Sequence, residues 1–537
     1  VTDGLDSFLR EIDDTYGDAH HGEPVQPRRS RKKDDPRLFR KILINGELPR
    51  MTLQAWNALT AFNNPPSLFT VADHPARIKQ SRSGAATVEE LTVDSMTRYA
   101  ARSAYWYKLN SGGQLGPMEI EQPPPQIVMR DMLTDPEPPL PNLKRITRAP
   151  MFGHQGQLET HPGYQPSTEH YFHASGFDLP AIPDQPTQAD AQAAAEWIFD
   201  ELFVDFPFSG PHNGLAEIAH AYSCLINPFV RDLIDGPTPM YLIEAPSPGA
   251  GKGLLAHALT YPALGAPPVL MPDASNEEEL RKRLMGSLMA LPEALVLDNI
   301  ATSLDSPSLA SALTAREFTD RVLGRSEIRT IPVTCTWLAT GNNPSKSGEM
   351  ARRTIRIRLD PGVERPEERT SFRHADLEEW IHDHRAEIVG KILTMVRGWV
   401  AAGMQPGNQT LGSYGSWARV HSGILDFLAI PGFLQNRSED RLLTVSEDAA
   451  WTAFVATWWE TFRDRPVNVT ELYDIAREVD GFNLGRAPDA RGQRNALGQQ
   501  LSRNREKIYD GKAVLFAGKP KNVSHYRLRD TEEHPDF

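Results

Sequence analysis

The sequence predicts a multidomain α/β protein, and three stretches in its middle predict it. The first is Met240 to Leu259, MYLIEAPSPGAGKGLLAHAL, in which an apolar strand over Tyr241–Ile243 runs into a Gly/Pro/Ser loop and then a helical apolar pattern. The second is Leu291 to Asn299, LPEALVLDN, an apolar strand that ends in Asp298. The third is Thr334 to Pro344, TCTWLATGNNP, an apolar strand that ends in Asn342 and Asn343. Buried strands alternating with helical segments are the pattern of an α/β core.

The first stretch carries the chemistry. A strand, a glycine-rich loop and a helix N-terminus together make a nest of backbone N–H groups that can hold phosphate oxygens, with a Lys for the β/γ-phosphates. Pro248, Gly249, Ala250, Gly251, Lys252, Gly253 and Leu254 are the expected nucleotide-binding residues. The stretch departs twice from the G-x-x-x-x-G-K-[ST] pattern: Pro246 replaces the first Gly, and Gly253 replaces the Ser/Thr whose hydroxyl touches Mg²⁺. The expected ligands are ATP and Mg²⁺. Asp298, at a strand end, is the expected metal residue. Asn342, with or without Asn343, is placed to align water against the γ-phosphate. Arg352 and Arg353 follow as a basic pair. The plainer alternative is three core strands and a solvated arginine pair.

In this order the elements resemble AAA+ nucleotide-dependent motors, and among them the superfamily 3 helicases and related replication proteins of phages and integrative elements. The tracts TDRVLGR (Thr319–Arg325), ATGNN (Ala339–Asn343), ARRTIRIRLD (Ala351–Asp360) and RPEERTSFRH (Arg365–His374) carry the resemblance, which spans about residues 200–430. It implies an ATPase coupled to movement on single-stranded DNA, a homo-oligomeric ring (a hexamer), a bacterial cytosolic or nucleoid location, and a separate primase as a further partner. It also implies that Arg353, or Arg352, acts as an arginine finger across a subunit interface, with Arg321 and Arg325 as second choices for that role or for pore contacts. Many AAA+ proteins carry a Glu where this chain has Asn299, which cannot take a proton. Glu293, or another carboxylate, is then the expected substitute base. A nucleotide-switched DNA-binding initiator that does not unwind stays open as the other reading.

Length and composition fit this organisation. With 537 residues, 40% hydrophobic, the chain is long enough for several domains. It holds no apolar run of about 18 residues, so no membrane span is expected. Its two cysteines, Cys224 and Cys335, suit a reducing compartment. A net charge of −13 argues against a uniformly basic surface.

The expected divisions are a basic leader (1–36), a mixed α+β N-terminal or linker domain (37–185), an AAA+ P-loop ATPase domain (186–365), a helical lid or bundle (366–462) and a C-terminal winged helix (463–537). The leader holds the run Arg28–Lys33 and is expected to stay disordered. In 37–185, helical spacing marks Leu53–Leu59 and Val88–Leu109, and Phe152–Tyr164 reads as a hairpin and turn. His154, His161, His170 and His173 match no zinc spacing. No paired-carboxylate strand of the kind primases use is present. Gln188–Phe206 reads as an amphipathic helix, and Leu377–Ala402, Trp417–Leu428 and Glu447–Phe462 as later ones. Trp451, Phe454, Trp458 and Phe462 fall at helical spacing, as a core stripe does.

At the C-terminal end, helices at Val469–Asp480 and Asp489–Asn504 precede short strands at Ala513–Phe516 and Ser524–Arg529, a winged-helix outline. Between Arg486 and Arg529 eleven basic residues stand against three acids, in a chain that is acidic overall. Arg491, Arg494, Arg503, Lys519, Lys521 and Arg527 are the expected contacts to single- or double-stranded DNA phosphates. A winged helix used for protein contacts is the alternative.

Overall fold

The computed structural model describes residues 35–80, 86–110, 116–174, 178–272, 274, 276–300, 303–322, 327–363, 365–479, 482, 484, 489–520 and 523–531. The basic run Arg28–Lys33 and residues Arg325, Arg486 and Lys521 lie outside them. The chain forms two compact units, one of residues 1–62 with 92–135 and one of 63–91 with 136–537. The region expected at 37–185 is divided between them.

In the first unit, strand Lys41–Leu43 runs parallel to Tyr105–Asn110, which pairs antiparallel with Met118–Glu121. Helices Leu48–Phe62, Val93–Ser103 and Gln126–Leu133 bury Leu59, Met96, Val128, Met129 and Met132. The helical spacing read over Val88–Leu109 covers three elements. Ala86–Glu90 is a strand, a capping box between Thr92 and Ser95 starts the helix only at Val93, and the aromatic run Tyr105–Tyr107 returns to a strand. Bulky aromatic side chains favour the pleated surface over the helix, which overrides the spacing.

The second unit is built on a five-stranded parallel sheet: β1 (Met240–Glu244), β2 (Val269–Pro272), β3 (Ala294–Ile300), β4 (Thr336–Gly341) and β5 (Thr354–Arg358). Its order is β2-β3-β4-β1-β5. Both faces are covered, as a parallel sheet requires. Tyr241, Ile243, Val296, Leu338 and Ile357 pack with Leu255, Ala258 and Leu259 of helix α1 (Lys252–Leu264). Met240, Leu242, Leu297, Trp337 and Ala339 face the other way, onto Leu284, Leu288, Leu309 and Leu313 of helices Glu277–Leu288 and Pro307–Thr314. The result is a mixed α/β protein whose parallel five-stranded sheet is consistent with a P-loop-like core. An antiparallel hairpin, Glu317–Arg321 with Ile328–Pro332, is inserted before β4.

Three further helices were expected in coarser form. The helix at Gln188 runs to Ile198 and continues as a π-turn over Phe199–Phe203. Leu377–Ala402 is two helices, Leu377–Asp383 and α2 (Arg385–Ala401), broken at His384. Helix α3 (Arg437–Phe462) begins ten residues before the expected start at Glu447. Trp451, Phe454 and Trp458 are buried on it. They share one core with Leu472, Leu497, Leu501, Val514 and Leu528 of the C-terminal segment. That segment holds α4 (Val469–Glu478), α5 (Ala490–Arg503) and a four-stranded antiparallel sheet with β6 (Lys512–Gly518) and β7 (His525–Asp530) at its centre. Asp489 caps α5 by accepting the Gly492 N–H.

Candidate nucleotide site

The loop from Ala245 to Gly251 leaves the carboxyl end of β1 and enters α1. Ligand sites of open parallel sheets form at this edge, outside the strand ends. Gly249 (φ +78°) and Gly251 (φ +89°) both take the left-handed backbone that glycine alone adopts without strain. A side chain at 249 would also crowd Glu367, whose Oε2 stands 3.2 Å from where a Cβ would be. Ala250 is buried and Pro248 exposed, so the loop is pinned at one side and open at the other. Gly251 is the N-cap residue of α1 and has no side chain to satisfy the first N–H groups, which stay available to an anion. Gly253 is exposed with open space around its Cα, and Leu254 packs against the core beneath.

Lys252 opens the helix. Its Nζ donates to the Ser247 carbonyl at 3.1 Å and to Asn342 Oδ1 at 2.7 Å. Burial lowers its pKa from the ordinary lysine value. The loop is thereby tied to the end of β4, the strand that lies between β1 and β3. Asn343 has a left-handed backbone (φ +44°), and its Oδ1 accepts a 3.0 Å bond from Arg358 Nη1 at the end of β5.

Asp298 stands at the same edge, at the end of β3, and is exposed. The register between β3 and β4 shifts between Leu297 and Ile300, so Asp298 and Asn299 bulge from the ladder, Asn299 with φ +55°. Thr340 of β4 holds the bulge: its Oγ1 donates to Asp298 Oδ1 at 2.7 Å and accepts the Asn299 N–H at 2.8 Å. An exposed carboxylate beside a phosphate nest is a hard oxygen donor of the kind Mg²⁺ takes, so the residues present fit a metal-bound nucleotide.

Lys252, Asp298, Asn299, Asn342 and Asn343 thus converge, and the arginines do not join them. Arg353 precedes β5, and its carbonyl accepts the Met240 N–H at the start of β1. Five strand residues at about 3.3 Å each put it roughly 13–16 Å from the loop, at the opposite edge. Its guanidinium is held by the carbonyls of Ala310 and Glu349 and by the Glu349 carboxylate at 3.1 Å. Arg352 beside it is exposed. Glu293, weighed as a substitute base, precedes β3 and sits at that far edge as well. Its carbonyl accepts the Thr336 N–H at the start of β4, away from this loop, and burial pushes its carboxyl up to about 7. Arg321 is exposed at the end of its hairpin strand.

Of the basic residues read as DNA contacts, Arg491 and Lys519 are exposed, and Arg494 lies over the Tyr473 ring at 5.8 Å. Arg527 alternates with buried Tyr526 and Leu528 on β7. The side chain of Arg503 and all of Lys521 fall outside the described residues.

Two groups at the site escaped the sequence reading. Thr340 left a signal, a hydroxyl residue closing an apolar strand two positions before Asn342. Glu367 left none, because its approach to Gly249 depends on the path of the chain after β5.

Among the described residues, no helix is long and apolar enough to cross a membrane. No family model matches this sequence, and no curated protein matches it. Sixty chains of solved structures match it in fold comparison. One is the JCV helicase bound to a thiazolopyridine-phenoxyphenyl acetamide, 14% identical over 50% of this chain and 72% of the helicase chain, with a TM-score of 0.21. A TM-score of that size does not establish a shared fold.

Proposed function

We propose that this protein is an ATP-dependent DNA motor, a helicase or translocase of the replicative type found in phages and mobile elements, working as a hexameric ring on single-stranded DNA. The observation that carries this reading is the meeting of Lys252, Asn342 and the Thr340-held Asp298 at one sheet edge around the phosphate loop. Loop N–H groups and Lys252 hold the phosphates of ATP, and Asp298 holds Mg²⁺, directly or through water. Mg²⁺, when bound, neutralises charge on the β- and γ-oxygens. Asn342 bonds Lys252 and is positioned to orient the attacking water once phosphate takes over the ammonium.

Arg352, exposed at the opposite edge, is the better placed of the two arginines to reach a neighbouring copy. Phosphoryl transfer relies on positioning and charge, and a finger of this kind is worth on the order of 10³ or more in rate. The C-terminal module, read as a winged helix, and the inserted hairpin with Arg321 supply the contacts to DNA phosphates. A bacterial cytosolic location and a separate primase belong to the same reading.

A second reading is favoured by Asn299. With an amide where motors carry a Glu, and with Glu293 at the far edge, ATP could serve as an assembly switch for a DNA-binding initiator. Steady-state ATPase measured with and without single-stranded DNA, followed by strand displacement, separates the two. DNA-stimulated turnover with unwinding supports the motor; nucleotide binding without stimulated turnover supports the switch, and no nucleotide binding overturns both.

A further inference from the structure

We infer that Thr340 is the positioning residue of the metal end of this site: its hydroxyl sets which oxygen of Asp298 is free to meet Mg²⁺. The inference rests on the nucleotide-binding reading above and assigns a role to a residue outside the usual loop-and-carboxylate pattern.

The direction of the bonds is forced. The Asn299 backbone N–H can only donate, so at 2.8 Å the Thr340 oxygen must accept from it. A hydroxyl carries a single proton, and that proton is then committed to Asp298 Oδ1 at 2.7 Å. Thr340 is 3% exposed, which keeps water from competing for either bond. One carboxylate oxygen is therefore held by Thr340, and on this exposed side chain the other is left for a metal.

The hydroxyl also closes the bulge in β3. Between Leu297 and Ile300 the ladder slips, and the Asn299 N–H finds Thr340 Oγ1 as its partner. The one hydroxyl accepts that N–H and holds the carboxylate at once. Two residues further along, just past the end of the strand, Asn342 holds Lys252. The end of β4 thus carries both the grip on the metal ligand and the grip on the phosphate-binding Lys. Groups that orient a metal ligand from behind typically change metal affinity 10–100-fold when removed.

Thr340→Val keeps the shape and removes the hydroxyl; Thr340→Ser keeps the hydroxyl and removes the methyl. Two measurements read the result without turnover: ATP affinity in EDTA by calorimetry, and Mn²⁺ affinity of the protein bound to a non-hydrolysable ATP analogue by paramagnetic resonance. Thr340→Val is expected to weaken Mn²⁺ about tenfold while metal-free ATP affinity stays within twofold, and Thr340→Ser to stay within twofold on both. In an Asp298→Asn background, Thr340→Val should have no further effect on Mn²⁺. A folded Thr340→Val protein with wild-type Mn²⁺ affinity overturns the inference. So does a Thr340→Ser protein as impaired as Thr340→Val, since packing of the methyl would then be the cause. If Thr340→Val does not fold, Thr340→Ala takes its place in the same comparison. Failure of wild-type protein to bind ATP at all is read before any variant and sinks the proposed function itself.

Discussion

Lys252 Nζ lies 2.7 Å from Asn342 Oδ1, although the two residues are 90 positions apart in sequence. Two of the three ammonium protons are held by protein oxygens, this one and the Ser247 carbonyl. Phosphate must replace or share those partners. Asn342→Asp would turn the neutral acceptor into a carboxylate, so that an ion pair with the ammonium competes with phosphate for it. Calorimetry should show ATP bound at least about tenfold more weakly by Asn342→Asp. Asn342→Ala should bind within a few-fold of wild type and lose hydrolysis.

Gly253→Thr should lower the Mg²⁺ concentration that gives half-maximal ATPase. Nothing stands within 4 Å of a Cβ at this position, so the side chain enters without a clash. The new hydroxyl would stand where phosphate-loop proteins coordinate Mg²⁺, and threonine is a better helix former than glycine by roughly a few tenths of a kcal/mol. Thermal unfolding should show no loss of stability. A folded but inactive variant would show that the nucleotide lies differently from the pose argued here.

The two adjacent arginines should separate cleanly. Arg353→Ala removes bonds to Ala310, Glu349 and the Glu349 carboxylate, each worth about 0.5–1.5 kcal/mol, and should lower the melting temperature by several degrees. Arg352→Ala, at an exposed position, should leave stability within about 0.5 kcal/mol. If it acts in trans, its ATPase should collapse while ATP binding persists. Mixing it with Lys252→Ala protein should then restore part of the activity.

Stability should depend on Glu293 in one pH window. Burial pushes its folded-state value up to about 7 from an ordinary 4.5. Below about 4.5 both folded and unfolded chains hold the proton and the group is neutral in effect. As pH rises toward 7 the unfolded chain releases the proton first, so the folded state loses stability. Glu293→Gln removes that loss. Urea unfolding should find the variant more stable than wild type at pH 8, by roughly 1–3 kcal/mol, and the gap should close by pH 4.5.

The C-terminal module cannot be tested by deletion alone, because Trp451, Phe454 and Trp458 of α3 are buried against it. Neutralising Arg491, Arg494 and Arg527 together leaves that core intact. If they touch DNA phosphates, the log–log salt slope of binding should fall by about 2–3. An unchanged slope would assign the module to protein contacts.

The elements that hold the candidate site were legible in the sequence because an apolar run gives way abruptly to a polar residue in each: Lys252 after the loop that follows β1, Asp298 near the end of β3, Asn342 just past β4. What joins them was not. The bond from Thr340 to Asp298 crosses from one strand to the next, and register between strands depends on packing that no single segment displays. The failure at Val88–Leu109 has a different source. Apolar residues there recur at helical intervals, while the cap at Thr92 and the aromatic strand at Tyr105 act over only three or four residues each. For the arginines, a sequence gives their order after Asn342 but not which edge of the sheet the chain has returned to.

The position of β1 in the sheet has a consequence for how the protein is made. Met240 pairs with Trp337 on one side and Thr354 on the other, so neither neighbour of the loop-bearing strand exists until roughly a hundred more residues have been synthesised. At about 5–20 residues per second, the nascent chain carries an apolar strand and an unformed phosphate loop for something like 5–20 seconds. During that interval Tyr241, Leu242 and Ile243 have no sheet to enter, and the ribosome-bound chain is an expected client for chaperones. Closure of the sheet around β1 is then a late event, and the loop after β1 can take its folded shape only with it.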